Sequence, residues 1–243
     1  MGAPTFDFSE HVVLVTGGRR GGGAGIVAAF LEAGASVVTC GPNEAEDTVE
    51  GAMFVTGDIR QAEQARLVVD TAAERFGRLD VLVNIAGGSP SVMAEAVSPE
   101  AVESVVALTL LAPFYCAQAA QPIMAGQAEG GSIVNVARVS GLRPSRGTAA
   151  YDAANAGLIS LASTLAVEWA PLIRVSCVSV RLLETDAEGE REAPVEGSAS
   201  VVDEVASACL FLASPAAAFV TGANLAVPGG GEWPRYLTAQ GRA

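Results

Sequence analysis

The strongest constraint on this chain is the alternation, from end to end, of short apolar runs with longer helix-like stretches. Val12-Val13-Leu14-Val15-Thr16 is an apolar run that stops at glycines. Such a run reads as a strand buried on both faces of a parallel sheet. Ser36 to Cys40, Met53 to Thr56, Asp80 to Ile85, Ser132 to Ala137, Arg174 to Ser179 and Ala223 to Val227 repeat the pattern. Between them lie helical compositions: about Gly23 to Ala33, Gln61 to Phe76, Pro99 to about Ala125 with Pro113 as a bend, Ala149 to Trp169, and Val201 to Ala213. Parallel neighbours need a crossover, and a helix supplies it. The pattern predicts a doubly wound α/β sheet of about seven strands with helices on both faces, in one domain over residues 1–243. In such sheets ligands bind beyond the carboxyl ends of the strands, so functional residues are expected just after each strand.

The chemistry is narrowed by what the composition lacks. There is no lysine; all 14 basic residues are arginine, and His11 is the single histidine. A Ser-His-Asp triad, a histidine-based zinc site and a lysine Schiff base are therefore excluded as expectations, and no metal site is expected. Cys40, Cys116, Cys177 and Cys209 sit singly inside apolar segments and read as buried thiols of a reducing cytoplasm. The net charge of −13 repels phosphate backbones and anionic lipids, so neither nucleic acid nor membrane is an expected partner. No apolar run is expected to reach membrane-spanning length uninterrupted, and Met1 to Glu10 has no secretory pattern; the expected location is cytoplasmic. Leu182 to Ser200 carries Glu184, Asp186, Glu188, Glu190, Glu192 and Glu196 and is expected to be a mobile acidic loop over the site.

The first strand runs into Thr16-Gly17-Gly18-Arg19-Arg20-Gly21-Gly22-Gly23-Ala24-Gly25-Ile26. Glycines between a first strand and a first helix let the backbone approach a pyrophosphate at a helix N-terminus. Thr16-Gly17-x-x-x-Gly21-x-Gly23 resembles the cofactor turn of the short-chain dehydrogenase/reductase family. The resemblance covers nearly the whole chain. It continues at Asp58-Ile59, at Asn84-Ile85-Ala86-Gly87, at Gly131-Ser132-Ile133-Val134-Asn135, at Phe211-Leu212-Ala213-Ser214 and at Val227-Pro228-Gly229-Gly230. It implies a Rossmann-type fold, oxidoreductase ancestry and an NADP or NAD pocket built on Gly17, Arg19, Arg20, Gly21, Gly23, Asp58, Asn84, Ala86, Gly87 and Thr185. After the second strand, Cys40-Gly41-Pro42-Asn43 offers no carboxylate for a ribose 2′-hydroxyl, whereas Arg19 and Arg20 suit a 2′-phosphate. The expectation is NADP over NAD; the alternative is that both arginines are solvated turn residues.

The family resemblance also assigns four catalytic positions, and three of them have changed. Tyr151 of Tyr151-Asp152-Ala153-Ala154-Asn155 keeps the acid/base tyrosine, but the lysine four residues on is Asn155. Arg138 stands at the serine position and Thr109 at the asparagine position. Val180-Arg181 replaces the Pro-Gly that follows the sixth strand. A phenol of ordinary pKa ~10 is a poor base at neutral pH, and a neutral amide does not acidify it by charge. Two readings follow. In the first, standard hydride transfer is impaired or absent; the chain is a pseudoenzyme that keeps the fold for assembly, as a homo-oligomer (dimer or tetramer) or as partner of an active homologue. In the second, the site is rebuilt around Tyr151 and Arg138 for a small-molecule substrate, as an NADP-dependent oxidoreductase or a non-redox enzyme. Arg138 and Arg181 would then stabilise tyrosinate or clamp a substrate carboxylate. The plain alternative for each arginine is a salt bridge to the 182–200 loop.

Overall fold

The computed structural model describes residues 6–44, 48–88, 91–181 and 201–228. Within them lie β1 (Val12–Thr16), α1 (Gly21–Glu32), β2 (Ser36–Gly41), β3 (Met53–Thr56), α2 (Ala62–Phe76), β4 (Val81–Asn84), α3 (Pro99–Val106), α4 (Ala112–Ala125), β5 (Gly131–Arg138), α5 (Ala149–Glu168), β6 (Ile173–Val180), α6 (Val201–Ala213) and β7 (Asn224–Val227). The strands form one parallel sheet in the order β3-β2-β1-β4-β5-β6-β7. The chain therefore winds outward from β1 in one direction and then, from β4, in the other. That reversal between β1 and β4 opens a crevice at their carboxyl ends.

Side chains alternate across the sheet, and each face has its own core. Leu14, Val38, Leu82, Ile133 and Val175 point to one face and pack under α2, α4 and α5 with Met124 and Leu165. Val13, Val15, Val37, Val83, Val134 and Val178 point to the other and pack under α1 and α6 with Ile26, Phe30, Val205 and Leu212. Each such fully buried aliphatic chain contributes about 1.5–3 kcal/mol. All four cysteines are free and buried. Burial pushes the Cys40, Cys177 and Cys209 thiols up to about 12, and moves Cys116 the same way. His11 sits at the entry to β1 with its ring edge-on to Phe8.

One expectation needs correction. Pro99–Ala125, 27 residues at mean hydropathy 1.4, is long and apolar enough to cross a membrane by length and composition, although charged and polar residues interrupt it as the sequence indicates. Here it packs along α2 and α5. It is also not one regular helix. Ala107–Leu111 is a π turn, in which the Ala112 N–H reaches back five residues to the Ala107 carbonyl. Pro113, one residue into α4, lacks the N–H that an α-helix would aim at the Thr109 carbonyl. The sequence placed a bend at Pro113; the structure places the irregularity just before it, around Thr109. The acidic 182–200 segment lies outside the described residues.

Candidate active site

The glycine turn is built by close contact. At Gly17, with φ +71°, an added Cβ would stand 2.9 Å from the Ala86 Cα. At Gly18 it would meet the Thr39 hydroxyl at 2.5 Å, and at Gly23 it would run into the Gly17 carbonyl oxygen. The turn therefore folds onto itself and onto the segment after β4. Thr16 holds that segment, its Oγ1 accepting from the N–H groups of Ile85 (3.2 Å) and Ala86 (3.5 Å). Thr39 accepts from the Gly18 N–H at 3.0 Å and donates to the Val15 carbonyl at 2.9 Å. Gly21 opens α1 with φ +56°, and Arg20 at the N-cap makes no side-chain cap. The first N–H groups of α1 are therefore left to an outside anion. A cradle that any side chain would fill, facing an uncapped helix N-terminus, fits the pyrophosphate of a dinucleotide.

The other residues expected along the cofactor differ in what they meet. Arg19 is half-buried, its guanidinium 6.0 Å from the Phe54 ring centre on β3 and its Cδ 4.0 Å from where a Gly41 Cβ would be. It thus lies across the end of β2, while Arg20 is exposed. Buried Arg19 Nε has no hydrogen-bond partner. Asp58 is turned to Arg60: Nη2 donates to Oδ2 at 2.7 Å and Nε to Oδ1 at 2.8 Å. Those bonds hold the Asp58 carboxyl below its usual range. Asn84, only 1% exposed, faces inward and donates to Asn135 Oδ1 at 2.9 Å across β4 and β5. It is a positioning residue for the strand ends. Thr185 lies outside the described residues.

At the reacting end, Gly87 serves as a ruler. A Cβ there would be 3.8 Å from both Thr109 Oγ1 and the Tyr151 hydroxyl. The structure thus brings Gly87, Thr109 and Tyr151 to one place. Thr109 is buried, and its Oγ1 has no partner. Asn155 is buried too, at 1% exposure, and both of its polar atoms are used by the backbone. Its Oδ1 accepts from the Arg138 N–H at 2.8 Å, and its Nδ2 donates to the Tyr151 carbonyl at 2.8 Å. The amide therefore stitches the end of β5 to the first turns of α5. Arg138 is the last residue of β5, opposite Val180 of β6. Its Nη1 donates to the Arg181 carbonyl at 2.9 Å, and its Nε is buried without a partner.

Sequence reasoning missed Thr39 and Asn135. Both are polar residues inside apolar strands, fully buried or nearly so. That pattern alone predicts a hydrogen-bonding duty. Three or more metal-ligating side chains do not cluster anywhere among the described residues.

Comparison with known proteins agrees with this geometry. Residues 17–232 match the family model described as enoyl-(acyl carrier protein) reductase. The bovine L-fucose dehydrogenase is 32% identical over 93% of this chain and 90% of its own. The 3-oxoacyl-(acyl-carrier-protein) reductase of Chlamydia muridarum is 32% identical over 91% of this chain and 97% of its own. The trans-4-hydroxycyclohexanecarboxylate dehydrogenase of Sinomonas cyclohexanicum is 33% identical, covering 91% and 93%. Among solved structures, a protein of Sinorhizobium meliloti 1021 described as a short-chain alcohol dehydrogenase superposes with a TM-score of 0.83 at 31% identity, over 93% of this chain and 98% of that one. With a family model matched over residues 17–232 and relatives more than 30% identical over more than nine-tenths of the chain, the chain belongs to the short-chain dehydrogenase/reductase family, an oxidoreductase family that binds NAD(P).

Proposed function

We propose that this chain is an NADP-dependent oxidoreductase of carbonyl or alcohol groups, in which the family's serine–lysine route is lost and Tyr151 works beside Arg138 instead. The observation that carries this reading is the fate of Asn155. Both of its polar atoms are bonded to backbone, so it neither reaches a ribose nor supplies charge. The first of these bonds fixes the Arg138 backbone at the end of β5, where the family serine would stand. Its guanidinium, turned from the Arg181 carbonyl toward Tyr151, would favour an ionised phenol as the missing ammonium would have done.

Bound nicotinamide supplies the hydride, or accepts it in the reverse direction. The chain's own residues do the rest. The Tyr151 hydroxyl gives its proton to the substrate oxygen in reduction and takes it back in oxidation. Arg138 lowers the cost of the tyrosinate. The buried, unpartnered Thr109 hydroxyl near Tyr151 would take the part of the family asparagine in returning a proton to the phenol. Arg19, lying across the end of β2, would hold a 2′-phosphate there and so favour NADP.

The names of the relatives do not choose a substrate. They range over a neutral sugar, an acyl-carrier thioester and a hydroxy acid. The test is therefore made first on the cofactor. NADPH binding to the purified chain, followed by nicotinamide fluorescence, is expected to be at least about tenfold tighter than NADH binding, and Arg19→Ala to remove that preference. NADPH oxidation is then measured with neutral ketones and with 4-oxocyclohexanecarboxylate. Tyr151→Phe is expected to keep NADPH binding and to cut kcat roughly 10²–10⁴-fold. Turnover indifferent to Tyr151→Phe, or no binding of either nucleotide, sinks the proposal. A second reading, a non-catalytic member that keeps the fold for assembly, is favoured by the retention of only Tyr151 among the four catalytic positions. Tight NADPH binding with no oxidation of any of these compounds would select it.

A further inference from the structure

We infer that Arg138 and Arg181 form a carboxylate site, so that the substrate reduced or oxidised at Tyr151 is an acid. This rests on the reading of Tyr151 as the reacting centre. Arg181 follows β6 directly and is only 7% exposed, yet its Nε has no hydrogen-bond partner. Arg138, paired with Val180 across the strands, reaches over the same strand end to the Arg181 carbonyl and also leaves a buried Nε unpartnered. The ion pairs among the described residues are Arg60–Asp58, Arg66–Asp70 and Arg78–Asp80, and none involves either arginine. The two arginines thus stand at one strand end, Arg181 nearly buried and Arg138 half-buried, with no ion pair to a carboxylate among the described residues. A buried cation in that state is costly unless a counter-charge arrives. The planar fork of each group matches a carboxylate in two-point geometry.

The cofactor's phosphates are not that counter-charge. They belong at the end of β1, three strands away from β6 in the order β1-β4-β5-β6. At ~4.8 Å per strand this is about 14 Å. The body of the substrate has a place as well. A cavity of about 450 Å³ lies between the segment after β4 and the start of α5, with Val92, Val97, Val105 and Leu108 among its walls. Gly88 and Ala150, the chain neighbours of Gly87 and Tyr151, also line it, which puts the cavity next to that pair along the chain. The substrate this arrangement takes is an oxo or hydroxy acid with an apolar body. Its carboxylate lies on the two arginines and its reacting carbon at Tyr151.

The test uses the full chain without cofactor, so that it stands apart from turnover. Melting temperature is measured in sodium cyclohexanecarboxylate against sodium chloride at equal ionic strength, with sodium phosphate as a third arm. The carboxylate is expected to raise it saturably, by about 3 °C at ten times the half-saturating concentration, and phosphate to do less. Arg181→Met and Arg138→Met are each expected to abolish the rise, and Arg181→Met to melt no lower than the parent in chloride. A carboxylate shift that survives both substitutions overturns the inference. So does a phosphate shift equal to the carboxylate shift, or a folded Arg181→Met that melts several degrees lower in chloride, the sign of an internal partner. If Arg181→Met does not fold, Arg138→Met alone decides, by keeping or losing the carboxylate shift. A carboxylate shift without any NADPH oxidation would instead count against the proposed function and leave the binding site standing.

Discussion

The β1 end and the β5–β6 end of the same sheet edge have been treated differently. At β1, two family glycines are locked by the backbone beside them, Gly17 against Ala86 and Gly23 against Gly17, and Gly18 between them abuts the side chains of Thr39 and Val27. Changing any of them costs the fold as well as the ligand. At β5 and β6 the family residues are side chains that project past the strand ends. Arg138, Asn155 and Arg181 have replaced them while the strands stay paired in register from Gly131↔Ile173 to Arg138↔Val180. The difference teaches that the dinucleotide turn is fixed by sterics and the reacting end only by chemistry. Reacting residues can therefore be exchanged within an intact fold.

The largest expected effect breaks or upholds this contrast directly. Gly23→Val would drive a side chain into the Gly17 carbonyl and close the cradle. It is expected to weaken NADPH binding at least 100-fold, about 2.7 kcal/mol, by fluorescence titration. Arg138→Ser, which restores the family residue at the other end, is expected to leave NADPH affinity within about threefold. Equal effects from the two substitutions would erase the distinction between the ends.

Next in size is Asn155→Lys, the reinstatement of the family lysine. In a site fixed by chemistry alone this would be a simple gain. Here it removes the acceptor of the Arg138 N–H and the donor to the Tyr151 carbonyl, at a position 1% exposed. The buried Arg138 N–H would be left unpaired, at a cost of about 1–3 kcal/mol, while the Tyr151 carbonyl keeps its helix bond. The melting temperature is expected to fall by about 3–9 °C, with no recovery of turnover. An unchanged melting temperature would show that Asn155 is not a structural stitch and would put the lysine's loss back into pure chemistry.

The contrast also explains what could be read from residues alone. The seven strands and their covering helices were legible because buried parallel strands are short apolar runs that end at glycines. The cofactor turn was legible because only glycine fits it. Thr109 and Asn155 were legible as departures from the family, but not in what they do. A spacing of four residues puts Asn155 on the Tyr151 face of the helix. It does not say that the amide turns inward to the backbone. The π turn at Ala107–Leu111 leaves no composition signal except the proline after it. Arg138 and Arg181 could be named as unusual, whereas their shared strand end and their unpartnered Nε atoms follow only from the β5–β6 register.

The smallest effect sharpens the same comparison at the adenine end. Asp58 was expected to face the cofactor, yet its carboxylate bonds Arg60 through both Nε and Nη2. The pair is partly exposed, with side-chain exposures of 24% for Asp58 and 42% for Arg60, so it is worth about 0.5 kcal/mol after solvent screening. Arg60, chiefly by hydrogen bonding, holds the folded carboxyl below its ordinary value. The stabilisation is therefore complete above an unfolded pKa of ~3.9 and is lost as pH falls through the depressed folded one. Asp58→Asn is expected to lower the melting temperature by about 1–2 °C at neutral pH and by nothing once the carboxyl is protonated, with NADPH affinity changed no more than about threefold. A larger loss of affinity with the same small change in melting would mean that Asp58 leaves Arg60 for the adenine when the nucleotide binds. One residue in the sterically fixed half would then be held by chemistry after all.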